Sequence, residues 1–375
     1  MAKLGDIATY INGYAFKPQD WSDEGIPIIR IQDLTGNSYQ ANRYNGEYAS
    51  KYEVNDGDVL ISWSASLGVY IWHGEKAVLN QHIFKVVFDK ERISKDFFVH
   101  QVGLILENAA SDAHGATMKH LTKPVFDALP FYLPPYEKQC EIAEVLDKVT
   151  SLISLRKQQL AKLDELVKAR FVEMFGTYPK NENGFPVAVI SDVANVSVGV
   201  VIKPAQYYVT EECGIKAFRS LNIGEMYIKD SDWVYFSTEG NESNKKSQLH
   251  ENDLLIVRSG APGTSCVVTK EFEGCNAVDV IIAHPNLSKV NPWYLCAYIN
   301  YPHGKKQIEE GTGGAAQQHF NVGKCNNLKV LLPPLEPQNQ FAAFVERVNQ
   351  QKQTVQQSLE KLELMKKALM QEYFG

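Results

Sequence analysis

Residues 129–176 read LPFYLPPYEKQCEIAEVLDKVTSLISLRKQQLAKLDELVKARFVEMFG, and residues 328–375 read LKVLLPPLEPQNQFAAFVERVNQQKQTVQQSLEKLELMKKALMQEYFG. The two stretches align without a gap at an offset of 199 residues, and about a third of their positions are identical. Both contain Leu-Pro-Pro near the start, a glutamate and a glutamine shortly after it, and Phe-Gly at the end. Because a long repeat is normally one structural unit, the sequence predicts two globular segments, each followed by a long helix.

Each repeat carries the apolar periodicity of a coiled coil. Alternating steps of three and four residues, taken from Leu146 and from Val345, meet apolar side chains at seven of nine positions in each copy. The predicted seam contains Leu146, Val149, Ile153, Leu160, Leu163, Val167, Val348, Val355, Leu359, Leu362 and Leu369. A proline pair precedes each helix and Gly176 follows the first, as is typical of helix boundaries.

Two packing arrangements fit this pattern. Each helix can pack onto its own globular segment, or the two helices can pack against each other. The repeat favours an antiparallel pair about a pseudo-two-fold axis, because linked copies can use the self-complementary surface of a two-fold dimer. A helix of about 35 residues is about 50 Å long. We therefore expect a rigid rod with the globular segments at opposite ends.

The globular segments share landmarks but differ more than the helices do. DVLISWSASLG at 58–68 parallels DLLIVRSGAPG at 253–263, and LGDIA at 4–8 parallels ISDVA at 190–194. Short β-branched runs between turn residues predict β-rich segments with some helix. The runs are Ile28–Ile31, Val59–Ile61, Phe84–Phe88, Leu254–Val257 and Val278–Ile282. A shared core with varied surfaces is expected if each segment recognises something different.

The predicted fold class is therefore α+β. Two β-rich α/β domains at residues 1–130 and 177–327 alternate with helical spacers at 131–176 and 328–375. The spacers would form the antiparallel coiled coil, and the whole chain would be a pseudo-two-fold tandem repeat.

Composition limits the possible functions. The net charge is −6; residues 1–130 carry 12 basic and 16 acidic side chains, and residues 177–327 carry 13 and 16. Nucleic-acid binding would thus require a local basic face or a partner that neutralises phosphates. The six cysteines lack zinc spacing and are expected to be reduced thiols. Without an apolar run of ~20 residues or a signal-peptide pattern, we expect a cytoplasmic protein.

The order of these features resembles one known family. Two copies of LPPxExQ, each opening an amphipathic helix that ends in Phe-Gly, follow two diverged segments that open with (L/I)-x-D-(I/V)-A. In this respect the whole chain resembles the DNA-specificity (S) subunits of Type I restriction–modification systems. The second copy departs from the first at Pro337, which stands where Lys138 stands in the first.

The resemblance implies a recognition subunit without catalytic residues. Residues 1–130 and 177–327 would be target-recognition domains, each reading one half of a split sequence in double-stranded DNA, the first domain the 5′ half. The helices would set the half-site spacing and dock two methyltransferase (M) subunits, and restriction–translocase (R) subunits would join for cleavage. S-adenosylmethionine, ATP and Mg would be bound by those partners, and this chain would hold no cofactor.

Motifs for the partners' chemistry are missing from the sequence. LPPY at 133–136 approaches the Asn/Asp-Pro-Pro-Tyr/Phe loop of adenine methyltransferases, but Leu133 cannot accept a hydrogen bond and the second copy reads LPPL. The sequence also contains no GxxxxGK[ST] phosphate loop, no HExxH zinc pair and no GxSxG nucleophile turn. These absences agree with a recognition subunit.

Base reading in duplex DNA uses side chains that form two hydrogen bonds to one base edge. Such side chains are expected in loops beside the strands. The candidates in the first domain are Arg30, Gln32, Ser62, Ser64, Ser66, Asn80, Gln81 and Lys119. The candidates in the second are Arg219, Asn222, Lys245, Lys246, Arg258, Ser259, Thr264, Gln317 and Gln318.

Several alternatives stay open at this point. Arg30 aligns with Arg219, so a shared structural ion pair is an alternative to base contact, and the serine-rich stretches can equally be turns. A free-standing DNA-modifying enzyme is a second possible function, against which the missing catalytic loop argues. A DNA-independent adaptor built from tandem repeats is a third, which the acidic balance permits.

Overall fold

The structure is a computed structural model that describes residues 1–36, 42–112, 122–312 and 320–375. The chain divides into two compact units: unit 1 comprises Met1–Lys157 with Gln357–Gly375, and unit 2 comprises Gln158–Gln356. Each unit contains one globular segment and a part of both long helices. Among the described residues, no helix combines the length and apolar character that crossing a bilayer requires.

Among the described residues of unit 1, ten short strands and five helices begin. The strands are β1 Ala2–Lys3, β2 Thr9–Asn12, β3 Ile26–Ile29, β4 Arg43–Tyr44, β5 Glu53–Val54, β6 Val59–Ser62, β7 Gly68–Ile71, β8 Ala77–Leu79, β9 Ile83–Val87 and β10 Pro130–Phe131. The helices are α1 Leu4–Ile7, α2 Ile31–Leu34, α3 Lys95–Asp112, α4 Lys123–Asp127 and α5 Tyr136–Phe175. One antiparallel sheet has the order β2-β9-β6-β7; a second has the order β4-β3-β8-β5, with β3 and β8 parallel.

Unit 2 repeats this plan. The strands are β11 Val187–Val189, β12 Ala194–Val198, β13 Tyr208–Val209, β14 Ile215–Phe218, β15 Val234–Phe236, β16 Leu254–Val257, β17 Ser265–Val267, β18 Asn276–Ala277, β19 Val280–Pro285 and β20 Lys329–Leu331. The helices are α6 Ile190–Val193, α7 Thr238–Ser243, α8 Pro292–Asn300, α9 Pro302–Thr312, α10 Val322–Asn326 and α11 Leu335–Phe374. The sheet β12-β19-β16-β17 has the same arrangement as β2-β9-β6-β7 in unit 1.

Short 3₁₀ turns connect these elements in both units. They are Pro18–Asp20, Ser50–Tyr52, Pro204–Tyr207, Glu211–Cys213, Ser220–Asn222, Lys245–Ser247 and Lys270–Phe272.

Leu254–Val257 has the predicted boundaries; β6 and β9 differ from the prediction by a single residue at one or both ends, and two further strands differ for a clear backbone reason. The strand predicted at Ile28–Ile31 is β3, which ends at Ile29, because Ile31 already begins α2. The strand predicted at Val278–Ile282 is β19, which begins at Val280, because Asp279 adopts a left-handed backbone with φ 51°. A β-branched side chain favours a strand only where the backbone can be extended.

The long helices run antiparallel within each unit. In unit 1, the Arg156 side chain donates to the Ser358 hydroxyl at 3.2 Å, while the start of α5 shares a core with the end of α11. In unit 2, Lys352 pairs with Asp164, and the Phe171 ring lies 5.2 Å from the Phe341 ring. Each helix has 40 residues and is thus about 60 Å long, somewhat more than expected. The predicted α+β class with an antiparallel helix pair is confirmed.

The seam positions coincide with the less exposed positions of both helices. Leu146, Val149 and Val167 are buried on α5, as are Val348, Val355 and Leu359 on α11. The other predicted seam residues are half-buried: Ile153, Leu160, Leu163, Leu362 and Leu369. Burial every three and four residues is what a helix pair with an apolar stripe produces.

Each long helix ends in the core of the unit that it enters. Phe175, the last residue of α5, is fully buried in unit 2, where its ring lies 4.7 Å from that of Tyr294. Phe374, the last residue of α11, packs in unit 1 at 5.4 Å from the Phe97 ring. After Phe175 the backbone turns at Gly176, whose φ of 72° is easily adopted only by glycine.

The glutamine of each LPPxExQ motif fixes the start of a helix. Gln139 is buried; its side-chain oxygen accepts from the Ser94 backbone N–H at 2.9 Å, and its amide donates to the Pro134 carbonyl at 2.9 Å. Gln338 forms the same pair of bonds with Asn291 at 2.7 Å and Pro333 at 2.7 Å. Buried polar groups need such partners, which explains why the glutamine recurs at the same place in both copies.

Replacing the aromatic end of α5 tests its burial. We expect Phe175→Ala to lower the free energy of unfolding by about 3–5 kcal/mol, because the fully buried ring would leave a cavity. Denaturant unfolding followed by circular dichroism measures the loss. Phe374→Ala is the matched control, since this ring holds the same place in the repeat but is only half-buried; a smaller loss is expected there. Equal losses would contradict the difference in burial.

Candidate nucleic-acid interface

The aligned arginines Arg30 and Arg219 occupy the same local structure. The Arg30 backbone N–H donates to the Asp33 carboxylate at 2.8 Å, and the Arg219 backbone N–H donates to the Asn222 side-chain oxygen at 2.9 Å. The Arg30 guanidinium also lies 3.6 Å from the Asp33 carboxylate. A guanidinium N–H of Arg219 donates to the Asp232 carbonyl. Both side chains thus hold their own loops, and base contact would require them to exchange these partners.

The amides that follow the two arginines are engaged in the same loops. Asn222 is 0% exposed, and its amide donates to the Ser231 carbonyl at 2.7 Å. The Gln32 amide, like that of Asn42, lies against the Arg30 guanidinium. Contact between Asn222 and a base would require this buried loop to open.

A serine-rich loop follows β6 in unit 1. The hydroxyl of buried Ser62 donates to the carbonyl of Ser64, itself buried, at 3.2 Å, whereas Ser66 is exposed. Trp63 stacks on Phe84 at 5.6 Å and is part of the packing of unit 1. Of the three candidate serines, Ser66 is the one that solvent can reach.

Asn80 and Gln81 lie in the segment that connects β8 to β9. The Gln81 backbone N–H donates to two acceptors, the Asn80 side-chain oxygen at 2.9 Å and the Tyr14 carbonyl at 2.8 Å. Both residues are half-buried. The Asn80 amide therefore shapes a turn, and the Gln81 side chain is the more available of the two.

In unit 2 the equivalent loop follows β16 and carries Arg258, Ser259 and Thr264. Arg258 forms an ion pair with Asp279, Ser259 is exposed, and the Thr264 carbonyl accepts from the Val257 backbone at 2.8 Å. Asp279, which pairs with Arg258, was not among the residues predicted from the sequence. Its signal is the left-handed φ, which is a property of the backbone and not of the residue type.

A cavity of about 620 Å³ opens in unit 2 beside this loop. Ser259 and Thr264 line it together with three lysines and three acidic residues from the helices and from the 220–229 loop: Lys168, Lys229, Lys352, Asp164, Glu165 and Glu225. Lys352 lies 5.7 Å from the Tyr227 ring in addition to its bond with Asp164. Positive and negative side chains balance in the wall, so its charge favours no class of small ligand.

The remaining candidates are separate from this loop or outside the described residues. Lys245 and Lys246 are exposed on a 3₁₀ turn, where Lys245 pairs with Glu242 at 2.9 Å. This pairing raises the pKa of Lys245. Lys119, Gln317 and Gln318 lie outside the residues that the structure describes.

Titratable groups of the core show no sign of nucleophile activation. Burial raises the pKa of Cys275 to about 11 and those of Cys296 and Cys325 to about 12. A thiol with a raised pKa is protonated at neutral pH and reacts slowly. In the described ranges, no group of three or more His, Cys, Asp or Glu side chains is arranged to hold a metal ion.

Comparison with known proteins gives a consistent result. The family described as "Type I restriction modification DNA specificity domain" matches residues 1–165 and again residues 179–364. The chain is 24% identical to the Type I restriction enzyme EcoBI specificity subunit of Escherichia coli, with 92% of this chain and 78% of that protein aligned. It is 20% identical to the Type I restriction enzyme MjaVIII specificity subunit of Methanocaldococcus jannaschii, over 99% of this chain and 90% of that one.

Solved structures show the same fold. The crystal structure of the Type I restriction–modification S subunit from M. genitalium superposes with a TM-score of 0.60 at 13% identity, covering 100% of this chain and 95% of that one. A chain from a study of assembly and conformational transition of the type I R-M system gives 0.58 at 16% identity, covering 100% and 96%.

The buried amide of Asn222 predicts a loss of stability when it is removed. We expect Asn222→Ala to lower the free energy of unfolding by about 1–3 kcal/mol, because the Arg219 N–H and the Ser231 carbonyl would lose their partner. Lys246→Ala, an exposed change in the same unit, is the control and should change stability by less than about 0.5 kcal/mol. The measurement is chemical denaturation of the purified chain. Equal stability of the two variants would argue that the amide is dispensable to the loop.

Proposed function

This chain belongs to the Type I restriction–modification DNA specificity family, and from that premise we propose that each of its globular segments reads one half of a bipartite DNA site. The two long helices set the distance between the half-sites and dock two methyltransferase subunits. The partners supply the chemistry: methyl transfer from S-adenosylmethionine to adenine N6, and ATP- and Mg-dependent translocation and cleavage. No catalytic or cofactor-binding role is assigned to this chain.

One observation carries the proposal. The specificity family matches the chain twice, and the two matched segments share the order of one four-stranded sheet while their loop side chains differ. A DNA site with two unlike halves requires a protein with the same framework twice and a different reading surface on each copy. An adaptor that bound two identical partners would have no need for different loops.

Docking on the helices is supported by apolar side chains that the seam does not use. In unit 1, Val145 and Leu152 on α5 and Met365 on α11 are exposed. Each of them directly precedes a position of the coiled-coil seam (146, 153 and 366). They therefore recur with the heptad spacing along one side of the helix pair. Leu155 and Leu364 are exposed in the same part of the helices. Exposed apolar side chains arranged in a stripe are typical of a surface that a partner covers.

The charge of the chain supports a role for the partner in DNA binding. The net charge of −6 gives no long-range attraction to phosphates, and specific binding of DNA normally includes several neutralised phosphates. The proposal therefore assigns phosphate contacts largely to the methyltransferase subunits and base contacts to this chain.

Exchange of one domain tests independent reading. Replacing residues 1–128 with the first domain of another family member should change one half of the recognition sequence and leave the other half and the spacing intact. The chimera would be expressed with its methyltransferase subunits in a methylation-deficient host, and the modified motif read by methylome sequencing. The reciprocal exchange of residues 177–327 is the control. A change in both halves after a single exchange would contradict the proposal.

Lengthening the helices tests their role as a spacer. Seven residues inserted after Lys157 in α5 and seven after Gln356 in α11 keep the heptad register and add about 10.5 Å. The gap between the half-sites should grow by about three base pairs, at about 3.4 Å per pair. Methylome sequencing again gives the motif.

The control for this insertion keeps the length constant. The same fourteen residues would replace existing ones at the same positions, and the original gap should then be retained. An unchanged gap in the lengthened protein, with both half-sites still modified, would show that the helices do not determine the spacing.

A further inference from the structure

One place in unit 1 and its equivalent in unit 2 have the same backbone conformation but different side chains. In unit 1, Ser62 on β6 pairs with Ile83 on β9; in unit 2, Val257 on β16 pairs with Val280 on β19. One residue beyond each pair come Trp63 and His82 in unit 1, and Arg258 and Asp279 in unit 2. These four residues therefore occupy equivalent positions at the ends of the two central strands.

The backbone at this place is unusual in both units. His82 has φ 73° and Asp279 has φ 51°, in the left-handed region. The loops that follow β6 and β16 likewise contain a left-handed residue at matching positions, Ala65 with φ 58° and Gly260 with φ 84°. Left-handed backbone at residues other than glycine is unfavourable and concentrates at functional sites. Its presence in both units means that the same loop geometry is maintained although the side chains have been exchanged.

The exchanged side chains have different capabilities. In unit 1 the Trp63 ring lies 4.9 Å from the His82 ring, and its N–H donates to the Asn12 side chain at 3.1 Å. In unit 2 the same place holds a guanidinium paired with a carboxylate. A guanidinium carries five N–H donors in a planar fork, of which one carboxylate occupies a part. Unit 2 therefore offers hydrogen-bond donors where unit 1 presents aromatic rings.

Arg258 also differs from the other arginine of its segment. Residues 177–327 contain two arginines, Arg219 and Arg258. Arg219 lies in a loop that has an equivalent in unit 1, and it donates to a backbone carbonyl within its own loop. The Arg258 side chain is 18% exposed and its partner Asp279 is 55% exposed. Its Nε, like that of Arg219, is buried and has no hydrogen-bond acceptor within the described residues. Asp279 accepts from one terminal nitrogen of the Arg258 fork, so donors on the other remain.

From this geometry we propose that Arg258 recognises a guanine in the second half-site, with Asp279 as the positioning residue that orients its guanidinium. The inference rests on the proposed function. Arginine recognises guanine through two parallel bonds to O6 and N7 in the major groove. A carboxylate bonded to one side of the fork fixes its direction before DNA arrives, which reduces the conformational entropy lost on binding. Unit 1 has no arginine at the equivalent position and must read its half-site by other contacts.

The test uses the chain in complex with its methyltransferase subunits, expressed in a methylation-deficient host. The variant Arg258→Lys keeps the charge but loses the planar fork. We expect the preference for guanine at one position of the second half-site to fall roughly 5- to 150-fold, the value of one bidentate contact. The first half-site and the spacing should not change. Methylome sequencing gives the modified fraction of every variant site.

Two further variants make the result specific. Asp279→Asn keeps the guanidinium but weakens its orientation, and should relax the same position by a smaller factor. Arg43→Lys makes the same exchange at a half-buried arginine of unit 1, which lies 2.8 Å from Glu75, and should leave the second half-site unchanged. Relaxation of one G·C position by both the Arg258 and the Asp279 variants would support the proposal.

Several outcomes would overturn it. The assigned contact would be excluded if the second half-site contained no G·C pair. It would also be excluded if the Arg258→Lys and Asp279→Asn variants recognised the same second half-site as the wild type. Either result would leave the proposed function intact. A uniform fall in modification at all sites, without a change in base preference, would assign Arg258 to a phosphate instead. A wild-type complex that modified no bipartite site would overturn the proposed function and this inference together.

Discussion

The structure depends on the burial of a helix end in a core that lies far away in the sequence. Phe175 closes the core of unit 2, and Phe374 packs on that of unit 1. In both cases a forty-residue helix starts near a buried glutamine and ends in an aromatic ring that packs on a core, fully buried at Phe175 and half-buried at Phe374. Neither ring can leave its core without a large loss of apolar contact, so the end of each helix is held in the unit that it enters. This packing explains why both copies of the repeat end in Phe-Gly.

The seam and the glutamine bonds act on different degrees of freedom. Side chains such as Leu146 and Leu359 bury apolar area and hold the helices together, but apolar contacts alone tolerate a shift by one heptad. The bonds of Gln139 and Gln338 remove that tolerance, because each glutamine connects the first turn of a helix to one particular backbone N–H and one particular carbonyl. Apolar contact thus supplies stability, and buried hydrogen bonds supply register. A repeat that varies elsewhere has to keep both.

The repeat and its periodicity predicted the fold class, because buried helix positions recur at fixed steps that substitutions on the solvent side cannot hide. The reading surface was much harder to predict. Arg30 and Arg219 were singled out by residue type, but their contacts with Asp33 and the Asp232 carbonyl depend on how a loop closes. The contact of Asp279 with Arg258 was not predicted for the same reason, since the left-handed backbone of Asp279 has no signature in the sequence. Residue type indicates what a side chain can bond to, and only the backbone decides which partner it meets.

The chemistry of the loops also explains how an acidic protein can take part in DNA recognition. In Arg30–Asp33 and Arg258–Asp279, an arginine is matched by an acid, so its local charge is cancelled. Cancelled charges contribute little to attraction at long range, where phosphates dominate affinity. At Arg258 the same pairing fixes the direction of the guanidinium, which under the proposed contact matters at short range, where a base edge is distinguished by hydrogen-bond geometry. Under the proposed function, cancelled charges favour discrimination over general affinity for DNA. A recognition subunit that bound any duplex tightly on its own would occupy incorrect sites, whereas one that requires the charge of a partner is limited to sites at which the whole complex fits.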